Sequence, residues 1–550
     1  MTPAVTQAPD APVRGGGASG HPTVAITPFP PSPPFRFWSS RPDQLLCLAL
    51  LAAITVVQGV NVGGFPSFSD DEGTYLSQAW AIQQGEGLAH YEYWYDHPPL
   101  GWLQIALLTW LPALLVPESM TVGSVRGAML CVTLVTAVLL YVLARRVALP
   151  RWAAALTVGL FGLSPLSVEL HREIFLDNIA VAWILAAFVL AASPSRHLWH
   201  HFAAGMCAAV AVLSKETILL ALPALMFTMW RHSHRDTRKF AVAGALTSCV
   251  LIGLMYPLYA LLNGELVPGE GHVSLWDGVV YQLSRPGSGS VFVDGSPANE
   301  VLDSWLYYDK VLPVAGLAAA LLLAVCHRWS VTARAAAGPA FAVVLLASVA
   351  AFRSSGYLPD MYVIQALPFL ALCLAAVAAA VHGLLRRHLH RAVAAVASGL
   401  LFAAGAAYTV PHWYEGARTA MTADPNAGFR AAARWFDPAT GHVPDPARTR
   451  VLVDDALWMD LVHAGYRPGT GAIWFYKADL DPAVQATLPG GWRDIDYIVA
   501  TPTVRRDAKD LPTTADTLEH SEPVAVFGEG EQRIEIRRVG GTGAAGGGAR

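Results

Sequence analysis

Charged residues are scarce in this chain. They make up 14% of its 550 residues, whereas about one quarter is usual in soluble proteins. Hydrophobic residues reach 54%, and the mean hydropathy is +0.40. This composition excludes an ordinary soluble globular protein and indicates a protein that crosses a membrane several times. The formal net charge of −4 is small, and we expect no nucleic-acid partner.

Closely spaced cysteine pairs are also missing. All six cysteines fall in apolar runs, and none of them forms a Cys-x-x-Cys spacing. We therefore expect small core residues, and neither disulfides nor metal ligands. The six are Cys47, Cys131, Cys207, Cys249, Cys326 and Cys373.

Long apolar segments recur from residue 43 to residue 410, each close to the roughly 20 residues that cross a bilayer as a helix. They predict a mostly α, polytopic membrane protein with about eleven transmembrane helices. The segments are residues 43–62, 122–143, 152–168, 178–192, 199–213, 216–230, 240–262, 311–326, 337–352, 361–382 and 392–410.

Basic residues set the predicted orientation, because Lys and Arg favour cytoplasmic loops. With the N-terminus in the cytoplasm, every second loop is basic and the alternate loops hold the acids. The basic loops contain Arg36 and Arg41; Arg145, Arg146 and Arg151; Arg196; Arg231, Arg235, Arg238 and Lys239; Arg328 and Arg334; and Arg386, Arg387 and Arg391.

This alternation requires that the apolar helix predicted at 98–117 does not cross the membrane. If it crossed, Arg145 and Arg146 would lie outside and every later loop would be reversed. We therefore expect 98–117, with Trp102, Trp110 and Pro112, to lie along the outer leaflet or to re-enter it. Tryptophan favours that interface.

The composition divides the chain into four parts. Residues 1–40 are rich in Pro and Gly and are predicted to be a disordered cytoplasmic tail. Residues 41–410 form the membrane domain, with a first extracytoplasmic loop at 63–121. Residues 411–540 alternate a helical run (427–436) with strand-like stretches and predict a small extracytoplasmic α/β domain. Residues 541–550 are a Gly-rich flexible tail. The strand-like stretches begin at Arg450, Ala472, Asp496, Val524 and Arg533.

Acids, aromatics and turn residues concentrate between residues 66 and 104, directly after the first apolar segment. Asp70, Asp71 and Glu72 follow the predicted end of that helix, residue 62, by 8 to 10 residues, and Asp96 and His97 precede Pro98 and Pro99. Ionisable groups at a membrane boundary are costly, so they are functional candidates by default. The alternative is a solvated loop with a helix-capping Asp.

Other loops predicted to lie on the same side add further carboxylates and cations. Their convergence on one face of the membrane fits a reaction on a charged, membrane-anchored substrate. These residues lie in segments 169–178 and 214–216, the long loop 263–310 and segment 353–360.

These motifs resemble those of the GT-C membrane glycosyltransferases, in particular the protein O-mannosyltransferases and aminoarabinose transferases that use polyprenyl-phosphate sugars. Asp71-Glu72 resembles the family's acidic pair, and Tyr95–Gly101 (YDHPPLG) is similar to its HPPLG segment. Arg172 and Asp177 have the spacing of its Arg-x-x-x-x-Asp loop, and Lys215 stands where it keeps a lysine. The resemblance covers roughly residues 43–410, and its motifs are specific only in combination. In the aminoarabinose branch a Lys stands where this chain has His97.

The resemblance implies sugar transfer from a polyprenyl-phosphate donor to an acceptor hydroxyl at the outer membrane face, with inversion at the anomeric carbon. A carboxylate within reach of the hydroxyl can take its proton; Asp71 is our choice, with Glu72 holding or tuning it and Asp177 positioning the acceptor or a cation. Positive charge favours departure of the lipid phosphate. The expected substrate-binding residues are Asp96, His97, Arg172, Asp177, Lys215, Arg285, Arg353 and Tyr357.

The expected partners are the lipid-linked donor, membrane lipid and an acceptor that is a protein, a lipid or a glycan. Some GT-C branches use a divalent cation, Mg²⁺ or Mn²⁺, whereas the group that this chain most resembles generally does not. The sequence leaves metal use open, with Asp71 and Asp177 as the candidate ligands of such a cation.

Several residues have a second interpretation. Asp70 could be the base, or both Asp residues could be caps. His97 could contact phosphate or cap the Pro-Pro helix, and Arg172 could pair with Asp177 for structural reasons only. Lys215 and Arg353 could be ordinary interfacial anchors. Loop 281–310 could be a mobile lid or a passive linker, and Asp454-Asp455 suits a helix cap better than a metal site.

A secondary transporter and a lipid-linked glycan polymerase or ligase are the competing functions. Against a transporter, the two halves show no clear repeat, and the acids cluster at one surface instead of the midplane where transport sites lie.

Overall fold

The computed structural model describes residues 40–115, 120–353 and 355–540. Of the predicted tails, residues 1–39 and 541–550 lie outside these ranges. Residues 116 and 117, the last two of the helix predicted at 98–117, also lie outside them.

The first part of the chain is helical. It contains short 3-10 helices at Glu216–Ala221 and Asp360–Gln365 and a π-helix at Val311–Gly316. Its α-helices, α1 to α18 in chain order, are Arg41–Gly59, Asp70–Gln84, Leu100–Leu115, Val122–Arg146, Arg151–Leu163, Pro165–Arg172, Leu176–Ala191, Leu198–Ser214, Leu222–His232, Arg238–Gly253, Met255–Leu262, Leu275–Ser284, Pro297–Tyr308, Leu317–Cys326, Val331–Ala335, Ala337–Phe352, Leu367–His388 and Arg391–Thr422.

Each apolar segment predicted to span the membrane is helical over most of its length. Among the described residues, five helices are long and apolar enough to cross a bilayer, or up to seven if each bent pair is one span. The bent pairs are α5 with α6, at 60°, and α13 with Val311–Cys326, at 106°. Four shorter apolar helices add to these, and the count of eleven spans stays a prediction.

Two expectations, one about Trp102 and one about the cysteines, need correction. Trp102 was expected at the membrane interface, but its side chain is completely buried and its ring lies 5.9 Å from that of Tyr93; Trp110 remains exposed. Of the six free cysteines, only Cys47 and Cys373 are buried, and Cys131 is exposed. An apolar residue in a membrane protein can face lipid as easily as core, so hydropathy alone did not separate the two.

The C-terminal part is the predicted small α/β domain. Its strands are β1 Val451–Val453, β2 Ala472–Trp474, β3 Tyr497–Ala500, β4 Ser521–Phe527 and β5 Ile534–Val539. They form one sheet in the order β2-β1-β3-β5-β4. β1 is parallel to β2 and β3, whereas β5 is antiparallel to β3 and β4. The helices of this part, α19 to α24, are Ala427–Trp435, Asp455–His463, Lys477–Leu480, Pro482–Ala486, Pro502–Asp507 and Pro512–Glu519.

The predicted domain boundary at residue 410 falls inside α18, which continues to Thr422. The apolar pattern ends earlier than the helix, because the last turns leave the apolar environment without losing their backbone hydrogen bonds.

The α/β domain packs through aromatic side chains on the loop that is predicted to be the first extracytoplasmic one. The ring of Tyr91 lies 4.5 Å from that of Trp474, and its hydroxyl donates to the carbonyl oxygen of Ala472 at 3.3 Å. Trp80 and Trp458 meet edge to face at 5.4 Å. Aromatic pairs of this kind stabilise an interface beyond their buried area, so the domain is fixed over the loop that carries the acidic motif.

Candidate active site

The first turn of α2 carries all three acids of the acidic motif. Successive residues of an α-helix point about 100° apart, so Asp71 and Glu72 face different surroundings. Glu72 faces the protein interior, where Arg126 of α4 donates to both of its carboxylate oxygens at 2.8 and 2.5 Å. Neither side chain is exposed.

Further hydrogen bonds lock this pair in place. The backbone NH groups of Ile174 and Ser69 donate to Glu72 at 3.0 and 3.2 Å, and Arg126 also donates to the carbonyl oxygens of Pro66 and Ser67. Both ions are therefore satisfied without solvent, as a buried ion pair requires. Glu72 holds the beginning of α2 against α4.

Asp71 points away from this pair and is half-buried; its charge interacts with those of Lys215 and His97, and we call the space beside these three residues the cleft. Among the described residues, no hydrogen bond from a protein donor to its carboxylate is found. Burial raises its pKa to about 6, helped by the negative charge of Asp70, while Lys215 and His97 oppose the shift. Asp71 is thus a carboxylate that is close to its titration range near neutral pH and that the fold leaves without a partner.

A chain of polar contacts faces Asp71. The ammonium of Lys215 donates to His97 Nε2 at 3.0 Å, and His97 Nδ1 lies 3.1 Å from a Glu216 carboxylate oxygen. An ammonium can only donate, so Nε2 accepts and the imidazole carries its proton on Nδ1, which donates to Glu216.

Lys215 also lies 3.9 Å from Asp177. Both are almost completely buried, so Lys215 is not a snorkelling lysine. Burial alone would lower its pKa, but the nearby carboxylates, Asp177 first, raise it above its usual value. An ammonium has three N–H donors. When two of them are directed at His97 and Asp177, one remains for a ligand.

The remaining partners hold these groups rigidly. Gln365 donates to Asp177 at 2.7 Å, and Tyr93 donates to the His97 carbonyl oxygen at 2.7 Å. Gln282 of α12 donates to the Asp96 carbonyl oxygen at 2.9 Å. The Asp96 carboxylate accepts from the backbone NH of His97. His97 is therefore held in the cluster, and its ring contacts Lys215 and Glu216 instead of capping α3.

Arg285 and Tyr357 come together on the outer side of the cleft. The guanidinium of Arg285 lies 4.0 Å from the centre of the Tyr357 ring. Tyr357 is close enough to Asp71 and Asp70 for their charges to raise its pKa, although burial is the larger cause. Loop 281–310 joins this wall, because Ser288 and Leu358 are hydrogen-bonded at 2.9 Å. The exposed side chain of Arg353 lies along Gly356 of the same wall.

Arg172 does not join this group. Its guanidinium is buried and donates to backbone carbonyl oxygens, and neither it nor Asp177 is the other's partner. It ties the end of α1 to α18, a structural role that a charge pattern in one loop did not reveal. The carbonyl oxygens belong to Val57, Val60, Asn61, Phe65 and Ala420.

Two arginines near the motif were missed from the sequence. Arg126 is an isolated charge inside the apolar segment 122–143, which is itself a functional signal. Arg506 follows β3 in the α/β domain, is exposed, and is close enough to Asp70 for that charge to raise its pKa, after Asp507. The carboxyl ends of parallel strands are where open α/β sheets bind ligands.

Asp454, at the end of β1, caps α20 by accepting from the NH of Ala456 at 2.9 Å. This confirms the helix-cap interpretation of the Asp454-Asp455 pair. Asp455 accepts hydrogen bonds from Thr74 of α2 and, at 2.9 Å, from Tyr476. The pair therefore connects the α/β domain to the helix that carries Asp71.

The described residues offer no donor set for a metal. No group of three His, Cys, Asp or Glu side chains within them could hold an ion, and the Asp177 carboxylate is engaged by Lys215 and Gln365. The expected Asp71–Asp177 cation site does not fit this geometry, and we route no step through a metal.

Comparisons with known proteins agree with this architecture. Residues 96–258 match the family model described as dolichyl-phosphate-mannose-protein mannosyltransferase. ArnT from Cupriavidus metallidurans bound to undecaprenyl phosphate is 15% identical, with a TM-score of 0.56 over 92% of this chain and 100% of that one. The apo oligosaccharyltransferase of Archaeoglobus fulgidus is 13% identical, with a TM-score of 0.52 over 88% of this chain and 72% of that one.

The chain has the fold of the GT-C membrane glycosyltransferases. The resemblance drawn from the sequence is confirmed at this level. The apo form of the same ArnT is 16% identical, with a TM-score of 0.54 over 90% of this chain and 98% of that one, so the α/β domain lies within the matched length as well. Comparison with curated protein sequences found no match.

Proposed function

We propose that this protein transfers a sugar from a polyprenyl-phosphate-linked donor to an acceptor hydroxyl at the extracytoplasmic face of the membrane. The observation that carries the proposal is the cleft carboxylate of Asp71. The described part of the chain offers it no hydrogen-bond donor and fixes its helix through Glu72 and Arg126, which is the arrangement that a general base needs.

Asp71 takes the proton of the acceptor hydroxyl as its oxygen forms a bond to the anomeric carbon. The bond between that carbon and the phosphate oxygen breaks at the same time, and the oxygen leaves with the electron pair. The product lipid phosphate is a stable anion, so no general acid is needed. One direct displacement of this kind inverts the anomeric configuration.

The leaving phosphate needs preorganised positive charge. The remaining donor of Lys215 and the guanidinium of Arg285 supply it, with the Tyr357 hydroxyl as a further donor beside Arg285. Arg353 lies on the same wall. Arg172 is assigned no contact with substrate, because its guanidinium is used by the fold.

The structural neighbours support the choice of donor. ArnT was crystallised with undecaprenyl phosphate, and the Archaeoglobus fulgidus oligosaccharyltransferase AglB was solved with a dolichol phosphate. A carrier of this chemistry suits a cleft with an ammonium and a guanidinium at its mouth. We place the cleft and the α/β domain outside the cell and the N-terminus in the cytoplasm, because of the charge bias of the loops.

The decisive experiment replaces Asp71 by Asn in the full-length protein and measures transfer from a polyprenyl-phosphate sugar pool in membranes. Loss of a general base lowers the rate about 10²- to 10⁴-fold. Asp70→Asn is the matched control, since it removes the neighbouring carboxylate from the same helical turn and is expected to retain most of the activity.

The outcomes separate the alternatives. Normal transfer by D71N with loss in D70N would move the base to Asp70. Failure of the parent protein to release lipid phosphate from any polyprenyl-phosphate sugar, with any acceptor, would contradict the enzymatic proposal and favour a transporter.

A further inference from the structure

An apolar groove lies along the helical bundle, and Asp71 is not part of its lining. It has a volume of about 930 Å³ and lies between α5, the π-helix that precedes α14, α17 and α18. Its walls are aliphatic almost throughout, with Leu160, Val314, Val377 and Leu401 among them. None of the residues proposed to bind the reacting phosphate is part of its lining.

The groove is longer than one leaflet of a bilayer. On α18 its lining extends from Ser398 to Trp413, a distance of about 22 Å at the ~1.5 Å rise per helical residue. One leaflet contributes only about half of the ~30 Å hydrocarbon core. A phospholipid acyl chain ends within its own leaflet, whereas a polyprenyl chain is long enough to follow the whole groove.

The outer end of the groove is positively charged. Lys310 forms part of the lining there, its side chain is exposed, and within the described ranges no carboxylate lies at ion-pair distance from it. The neighbouring carboxylate of Asp309 is buried and is used by Ser164, at 2.6 Å, and by the backbone NH of Val311.

A second, smaller pocket of about 250 Å³ continues from the groove at this end. It shares Lys310, Tyr408 and Thr409 with the groove and adds the side chain of His412. At the other end of the groove, His382 and Ser398 satisfy each other at 2.8 Å. Lys310, at the outer end, is the one Lys or Arg side chain in the described lining, which matches a long apolar chain with one anionic head.

We propose that this groove is a second binding site for a polyprenyl phosphate, with the isoprenoid chain along α18 and the phosphate at Lys310. The lipid bound there takes no part in the displacement. The inference rests on the proposed function only for the choice of carrier lipid, since the groove, its length and its charge stand independently.

Native mass spectrometry of the full-length protein with added undecaprenyl phosphate tests this. We expect two lipids per chain. Gly159 and Gly405 both line the groove, and a Cβ added at either meets no atom within 4 Å. Gly159→Leu with Gly405→Leu therefore fills the groove without disturbing the packing and should leave one lipid bound.

Two further variants sharpen the measurement. Gly399→Leu lies on α18 outside the lining, also in open space, and should still bind two lipids. Lys310→Gln should lower the affinity for one of the two lipids on the order of fivefold, because that is the contribution of one cation near a membrane surface to binding an anionic lipid. Arg285→Ala should instead weaken the lipid in the catalytic cleft.

A single bound lipid in the parent protein, sensitive to Arg285→Ala and not to the glycine variants, would overturn the proposal. Displacement of the groove lipid by an equal concentration of phosphatidylglycerol would also overturn it, because the site would then be a general lipid site. The lipid count does not depend on turnover, so it separates a failure of this inference from a failure of the transfer assay.

Discussion

Asp71 and Glu72 are neighbours in the chain, yet only one of them is free to act on a substrate. Glu72 is enclosed with Arg126 and has no exposed surface, whereas Asp71 lies half-buried beside Lys215 and His97. The helical rotation between successive residues separates the structural anchor Glu72 from the residue that we propose as the base. Both roles depend on the same turn of α2.

The pH dependence of transfer follows from the pKa of Asp71, which burial raises to about 6. A general base acts only when it is deprotonated, so kcat/KM should fall about tenfold per pH unit below that value and level off above it. A profile of kcat/KM between about pH 5 and about pH 8 checks this in the parent protein. The same measurement applies to D71E, because this variant keeps a carboxylate as the base. A flat profile would contradict the assignment.

Removal of one member of the Glu72–Arg126 pair should destabilise the protein strongly. Breaking a buried ion pair leaves an uncompensated charge and costs about 3–5 kcal/mol. We expect E72Q and R126M each to lower the free energy of unfolding by this amount, measured by unfolding in detergent.

The double variant E72Q/R126M should lose less than the sum of the two single changes, because it leaves no buried charge unpaired. Glu519→Gln, at an exposed position of the α/β domain, is the neutral control. Additive losses would mean that the two residues do not act as a pair.

At the scale of secondary-structure elements, α2 is held between the membrane domain and the α/β domain. Its first turn is joined to α4 by Glu72, and its next residues touch α20. A Cβ added at Gly73 would lie 2.2 Å from the backbone carbonyl carbon and oxygen of Asp455. Thr74 donates to the Asp455 carboxylate directly beside this contact. A shift of α20 would therefore move the helix that carries Asp71.

Gly73→Ala tests this contact. Backbone atoms cannot yield as a flexible side chain can, so overpacking should cost about 1–3 kcal/mol of stability and displace Asp71 enough to reduce kcat more than KM. Gly127→Ala on α4 is the control, since its added Cβ meets no atom within 4 Å. Equal activity of both variants would show that the α2–α20 contact does not position Asp71.

At the scale of the whole molecule, the orientation in the membrane decides which substrates reach the cleft. Acidic and basic loops alternate along the chain. The α/β domain covers the first predicted extracytoplasmic loop and contacts it through Tyr91 and Trp474. Lipid-linked sugar and acceptor would then meet between the membrane surface and the α/β domain.

Cysteine labelling in intact cells tests the orientation. A membrane-impermeant maleimide should label Glu529→Cys, an exposed position of the α/β domain, and should not label Arg235→Cys, an exposed position of a basic loop. Permeabilised cells, in which both positions should react, provide the control. The reverse pattern in intact cells would show that the apolar helix α3 crosses the membrane.

Sequence periodicity and composition determined the large features of this protein. Long apolar segments predicted the helices, since a bilayer requires about 20 apolar residues to span it. The alternating strands of the C-terminal part were correct because strand and turn signals are local. The motifs around Asp71, His97 and Lys215 predicted residues that the structure places close together, because each motif lies next to the end of an apolar segment.

Only the tertiary structure showed which charges serve the fold and which remain available to a substrate. Arg172 and Glu72 carry the same signal in the sequence as Lys215 and Asp71, yet the fold buries the first two against carbonyl groups and Arg126. Arg506 lies some 430 residues further along the chain than Asp71. It comes close to the acidic motif only because the α/β domain docks there. A charge pattern records which side chains are costly to place, but their partners are set by contacts between distant segments, and those contacts exist only in the folded chain.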